Sequence, residues 1–357
     1  MHASIERLLV PIGAVVIALM VFAVFVSMAG YPPLEVFQLI YKGGFGSGFS
    51  WNNTLQRAAP LILTGLAVAL PARAGLVIIG GEGALVLGGL AAAIFGNYVL
   101  QTPTLLSQIL MLLAGAMVGA GWIALCGWMR HARGINETIS SLLMAYIGIA
   151  LLNHFVEGPL KDPASLNKPS TMPIPTASML GLTPGFDVHI GLLIGVVVAV
   201  VAWLVLRFTT LGFALKVVGG NPRAAQLAGL RVGVWLIAAC AAGGACAGLA
   251  GAIEVAAVHG SANASLISGY GYAGILIAFM ARQNPLAVVP VAMLIGGIGA
   301  AGGMLQRRLD MPDATVMVLQ GMAFIAILAS ETLMGSPWRK IAARLWGIEI
   351  PPEKGKS

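Results

Sequence analysis

The sequence predicts an all-α, polytopic membrane protein of about ten transmembrane helices, some of them broken or re-entrant. Three observations predict it. Hydrophobic residues make up 58% of the 357 and charged residues only 9%, against about 25% charged in a soluble domain, and the mean hydropathy is +0.91. Apolar runs of bilayer length recur along the chain, and its 47 glycines suit close helix approach in lipid. The cations gather at the ends of those runs.

In chain order, the candidate spans are 8–30, 57–71, 76–96, 104–128, 138–156, 188–207, 232–258, a short or broken piece near 271–281, 285–304 and 313–334. The first run is too long for the apolar region of a signal peptide, about 7–15 residues, and is read as a retained helix. Residues 31–56 hold Phe45, Phe49 and Trp51 among glycines and are expected at the interface. Six prolines between Glu157 and His189 exclude a continuous helix there, leaving a linker or a docking surface for an external partner.

Charge alternation orients the chain. Arg7, Arg73, Arg130 with Arg133, the cations from Arg207 through Arg231, Arg282, and Arg339, Lys340 and Arg344 all fall on one side. The positive-inside rule makes that side cytoplasmic and puts both termini there, in a bacterial inner membrane. Arg307 and Arg308 fall outside, partly offset by Asp310 and Asp313. The expected organisation is one transmembrane domain, 1–357, with an external loop at 157–189, a cytoplasmic loop at 209–231 and a cytoplasmic tail at 335–357, amphipathic over 339–346. The net charge of +7 is scattered over span ends and forms no nucleic-acid stripe.

Chemistry-bearing motifs are sparse. Cys126, Cys240 and Cys246 are odd in number and lack C-x-x-C spacing, so they read as small packing residues. His2, His131, His154, His189 and His259 are dispersed, with no H-E-x-x-H, no hydrolase-like carboxylate pair and no GxxxxGK[ST] loop. We therefore expect no enzyme and no cofactor on this chain, with any nucleotide bound elsewhere. Two glycine-dense stretches, 75–83 and 260–274, read either as broken helices or as tight small-residue packing. Non-helical backbone survives at depth only where it is buried or lines a cavity, and paired breaks mark a transport pathway.

Glu82 lies in the first break, where its carboxylate marks a pathway or accepts N–H bonds from unwound glycines. Glu254, near the outer end of its span, is expected to snorkel to the interface. Asn136, Glu137 and Thr138 form a helix start. The candidate pathway residues are Asn53, Glu82, Asn153, His154 and Asn263.

The polar segment 211–232 stands apart from this apolar background. Gly219 and Gly220 end a helix, Asn221 is a good cap, and Pro222 suits a first helical position. Ala224, Leu227 and Ala228 then recur at helical spacing until Gly229 stops the run, flanked by Lys216, Arg223 and Arg231. Two turns are not stable alone in water, so the protein's own surface or a groove on another chain must hold them.

Five stretches carry a family resemblance: NTLQRAAPLILTGL at 53–66, RAGLVIIGGEG at 73–83, GINETISSLLMAYI at 134–147, GPLKDP at 158–163 and GGNPRAAQLAGL at 219–230. With them the chain resembles the permease subunits of bacterial ABC importers, in the nucleoside and simple-sugar branch related to ribose and branched-chain amino acid permeases. The resemblance implies the ten-helix importer fold and transport of a small polar solute, a nucleoside or sugar-related compound. It also implies a second permease subunit, identical or homologous, a cytoplasmic ATPase that carries ATP-Mg, and an external solute-binding protein.

It further implies that 216–231 is the coupling helix docked on the ATPase, with Gly219, Gly220, Asn221, Pro222, Arg223, Ala224, Ala225 and Gly229 as its coupling residues. Two departures stand out: Ala145 where relatives often have Asn, and Val77-Ile78 where Phe-Asn is common. The competing reading is a stand-alone carrier driven by an ion gradient, to which broken helices with a buried Glu82 would also belong. Free sugars or branched-chain amino acids are the alternative solutes.

Overall fold

The computed structural model describes residues 2–99, 105–183 and 187–335. The tail, with its expected amphipathic stretch at 339–346, lies outside the described residues. Helices follow one another in this order: α1 (His2–Met28), α2 (Pro33–Phe45), α3 (Gly48–Ala72), α4 (Gly81–Ile94), α5 (Leu105–Arg133), α6 (Glu137–Glu157), α7 (Gly191–Phe208), α8 (Thr210–Gly220), α9 (Pro222–Leu227), α10 (Val232–Ile253), α11 (Tyr270–Met280), α12 (Pro285–Ala300), α13 (Gly302–Leu309) and α14 (Thr315–Gly335). Wider π turns continue α4 over Phe95–Val99 and α10 over Glu254–His259.

Among the described residues, six segments are long and apolar enough to cross a membrane by themselves: α3, α5, α6, α7, α10 with its π turn, and α12 with α13; the bent pair of α1 and α2 makes seven if it is one span. α4, α8, α11 and α14 are shorter apolar helices, so the expected ten is an approximate count. The fold class is therefore all-α and polytopic, as the sequence predicts.

Two boundaries differ from expectation. α3 begins at Gly48 and not at 57, because the Ser47 hydroxyl caps it by accepting from the Ser50 N–H at 3.1 Å. The polar residues 52–57 thus lie on helix that apolar content alone does not reveal. The expected span 76–96 is helical only from Gly81, its first residues lying outside any helix.

Contacts divide the chain into two compact units. In the smaller, α1 and α14 pack on each other, and Phe22 meets Phe37 at 5.9 Å. The larger unit, Leu39–Met304, is built around α10, which is flanked by α3, α4 and α5. Its apolar core joins Leu63, Leu85, Leu90, Leu152, Ile253 and Leu266. α7 faces outward with Leu193, Val197, Val201 and Leu204, as expected of a helix solvated by lipid.

Lipid tails are as apolar as leucine, so burial gives helices little reason to associate; close packing must supply it. α10 meets α5 through glycines on both sides. A Cβ on Gly119 would lie 2.7 Å from the Gly248 Cα, whereas one on Gly121 would meet nothing within 4 Å. Cys126, Cys240 and Cys246 are buried among these same contacts.

The two glycines give a matched pair of variants on one helix. Gly119→Val should cost about 1–3 kcal/mol, the range for overpacking, and lower the thermal unfolding midpoint in detergent. Gly121→Val should leave it unchanged, and equal midpoints for the two would refute the backbone contact.

Candidate functional site

Both glycine-dense stretches are broken, and the breaks meet. After α3 the chain turns at Gly75 (φ 77°) and runs without helix over 76–79 before α4 starts. After α10 it turns at Gly260 (φ 66°) and reaches α11 only at Gly269 (φ 78°). Glu82, with no exposed surface, sits in the first turn of α4 and reaches the first turn of α11. Its Oε1 accepts from the Gly269 N–H at 2.7 Å and its Oε2 from the Gly271 N–H at 2.6 Å. The carboxylate therefore lies at two helix N-termini, where orphan N–H groups and the helix dipoles favour an anion. A Cβ on Gly271 would lie 2.5 Å from the Glu82 Cα, so this approach requires glycine.

The non-helical stretch is held from α6. Thr138 Oγ1 donates to the Val77 carbonyl at 2.9 Å, and the Ile79 N–H donates to Ser141 Oγ at 3.1 Å. α6 is positioned for this by its own cap, in which Asn136 Oδ1 accepts from the N–H groups of Thr138 and Ile139 at 2.9 and 3.2 Å. Glu137 Oε2 lies 3.4 Å from Arg130 Nε across the preceding turn. Ala145 is fully buried, and a Cβ on Gly83 would lie 2.6 Å from its Cα. Position 145 is thus at a helix crossing that requires glycine at 83.

The other candidate pathway residues do not converge on Glu82. Asn53 is partly buried on α3, beside Thr54, whose hydroxyl donates to the Gly44 carbonyl at 2.7 Å. Asn153 is partly buried and His154 exposed on α6, the latter edge-on to Phe155. Asn263 is buried and structural: its Oδ1 accepts from the Ser265 N–H at 2.8 Å, capping the short turn Ala264–Leu266.

Glu254 corrects the snorkelling expectation. It is 5% exposed, and its Oε2 lies 3.5 Å from His259 Nε2 across the π turn. A π turn brings residues five apart together, a spacing that helical periodicity of 3.6 does not anticipate.

The long connection at 157–189 is docked on the second break. N–H groups of Thr171, Ile174 and Leu180 donate to the carbonyls of Ala262, Gly260 and Ala256 at 2.9, 2.7 and 2.8 Å. These bonds satisfy backbone that helix does not. Leu166, Met172 and Leu182 remain exposed on it.

At the other end, α9 forms as the sequence predicts. Asn221 Oδ1 accepts from the Arg223 and Ala224 N–H groups, both at 3.1 Å, Pro222 opens the helix, and Gly229 (φ 81°) ends it. One side is held by the chain itself, Ala225 being buried against Val218 and Val232. Arg223, Ala224, Leu227 and Ala228 are exposed, Leu227 at 91%. The apolar face recognised from spacing thus points away from the protein, and Ala225 alone anchors the helix.

Sequence reasoning used Arg73 only as an orienting cation and the start of a family stretch, and did not single out Gln283. Arg73 Nε donates to the Gln283 carbonyl at 3.2 Å, joining the turn after α3 to the turn after α11. Arg282 and Gln283 adopt positive φ (48° and 57°), which nothing in their side chains announces.

The chain is similar to permeases of known transporters. It is 33% identical to a glucose ABC transporter permease of Haloferax volcanii, over 90% of this chain and 87% of that one. It is 28% identical to a guanosine ABC transporter permease of Bacillus subtilis, over 93% and 96% of the two chains. A nucleoside ABC transporter permease of Lactococcus lactis is 26% identical, over 92% and 93%. No solved structure matches. The family model for the permease component of the branched-chain amino acid transport system matches residues 50–328. Permeases of this kind are transport components and not enzymes, and they work with an ATPase and a solute-binding protein. The chain belongs to this permease family and is the multi-pass, membrane-spanning subunit of an ABC importer.

Proposed function

We propose that this subunit moves a neutral, hydroxyl-rich solute, a nucleoside or a sugar, across a bacterial inner membrane with both termini in the cytoplasm. A second permease subunit completes the pathway, ATP-Mg is held by a separate ATPase, and the exposed face of α9 docks on that ATPase. No cofactor is assigned to this chain. The observation that carries the docking is the division of α9 into two faces. A two-turn helix held only through Ala225 presents Leu227 and Arg223 to solvent, which suits a groove on a partner. Gly219, Gly220, Asn221, Pro222, Ala224 and Gly229 shape and cap that helix.

Two features support a neutral solute. The relatives named above carry glucose, guanosine and nucleosides by their names. Glu82, fully buried at the meeting of the breaks, has each oxygen held by a backbone N–H, so its carboxylate is not presented to a cationic cargo. Glu82 acts on this reading as a pin between α4 and α11. Asn53, Asn153 and His154 are the polar groups left for solute contact.

Leu227→Glu and Arg223→Glu should each weaken association with the ATPase by about tenfold or more, as loss of an interface anchor does, with membrane insertion unchanged. Normal co-purification of both variants would exclude the docking. Glu82→Gln places an amide NH2 against a backbone N–H and should cost about 1–3 kcal/mol. Uptake should fall while the ATPase still co-purifies; wild-type uptake would remove the pin. Labelled purine and pyrimidine nucleosides, pentoses, hexoses and branched-chain amino acids supplied to the reconstituted complex decide the cargo. Transport of amino acids alone would overturn the neutral-solute reading.

A further inference from the structure

The turn at 73–75 touches three functional segments at once. Below it lies Gly219, at the end of α8 just before the coupling helix. A Cβ on Gly219 would lie 2.5 Å from the Arg73 carbonyl oxygen and 2.9 Å from the Gly75 nitrogen, and one on Gly75 would lie 3.1 Å from the Gly219 carbonyl oxygen. The two backbones therefore meet directly, with no flexible side chain between them to absorb displacement. To one side, the Arg73 guanidinium holds the Gln283 carbonyl at 3.2 Å, and Gln283 follows α11 directly in the turn to α12. Onward, the chain continues through the non-helical residues 76–80 to Glu82.

We propose that this turn is the joint that carries movement of the coupling segment into both broken helices, with Arg73 as its positioning residue. Displacement at Gly219 pushes the Arg73–Gly75 backbone. The non-helical stretch transmits it to the N-terminal end of α4, and the Arg73–Gln283 bond transmits it to the C-terminal end of α11. Glu82 ties the start of α4 to the start of α11, so the two helix starts shift together. Arg73 is distinct from the docking face, since it contacts neither Leu227 nor Arg223 in any hydrogen bond or ion pair described.

The inference rests on the reading of α9 as the ATPase dock, and the experiment separates the two. The full complex with its ATPase and binding protein is reconstituted in liposomes, and solute moved per ATP hydrolysed is measured. Arg73→Ala should retain the co-purified ATPase and basal hydrolysis but lower that ratio by about tenfold, within the usual range of coupling between sites. Arg73→Lys, which keeps a donor, should recover much of it. An unchanged ratio in Arg73→Ala would overturn the joint while leaving the dock intact. Failure of Leu227→Glu to release the ATPase would instead overturn the dock. Hydrogen exchange on the wild-type complex gives a second arm that needs no variant. On ATP binding, amides at 76–80 and 282–284 should change protection together with those at 219–230. A response confined to 219–230 would refute transmission.

Discussion

Backbone at membrane depth that is not helical must find partners inside the protein, because lipid offers none. The structure meets this constraint at its hardest point with one side chain. Glu82 fills two orphan N–H groups at the start of α11 while standing in the first turn of α4. A carboxylate is suited to this because both of its oxygens accept, and hydrogen bonds to a charged group are worth about 1.5–3 kcal/mol each. The cost of burying a charge is offset only where geometry of this quality exists. The surrounding glycines follow from the same requirement, since any Cβ at Gly271 would drive the two helix starts apart.

The remaining polar groups of the breaks are handled by neighbours. Thr138 and Ser141 of α6 satisfy the first, and the long 157–189 connection satisfies the second through backbone bonds. A loop that prolines exclude from helix thus serves as scaffold for a helix that glycines have interrupted. Each irregular segment is stable because another one is irregular in a complementary way. Helix positions elsewhere are set more simply, by the small-residue contacts of α10 with α5 and α4.

Much of this was legible in the sequence. Apolar runs located the spans, glycine density located both breaks, and Asn221-Pro222 with Gly229 delimited α9. Glu82 was legible as a buried carboxylate satisfied by unwound glycines, yet its donors come from the other break, nearly two hundred residues away (Glu82 to Gly271 is 189). Such pairing leaves no local periodicity. Glu254 misled for a different reason: its partner His259 is five residues on, and only a π turn unites them. Ala225, expected among the coupling residues, is turned into the protein, because spacing identifies an apolar face without saying which way it points. Asn263, expected on the pathway, also caps the turn Ala264–Leu266, which composition does not announce.

The separation between what holds and what moves is the last consequence. α9 is fixed to the protein by one small residue and meets the turn at 73–75 through α8, where backbone lies against backbone. Packed interfaces of this kind are bistable and not continuously deformable, so a small displacement at the dock is not dissipated within the contact. Residues 76–79 are not helical, and Glu82 holds the starts of α4 and α11 together. On the proposed reading, a force applied at the coupling segment passes to this pair of broken helices. An importer needs its two permease packings to be close in free energy and biased from outside. Breaks satisfied by side chains and loops, in place of the helical ladder, allow two packings without exposing backbone to lipid. The irregularity that makes Glu82 necessary is thus the same irregularity that makes movement of the pathway affordable.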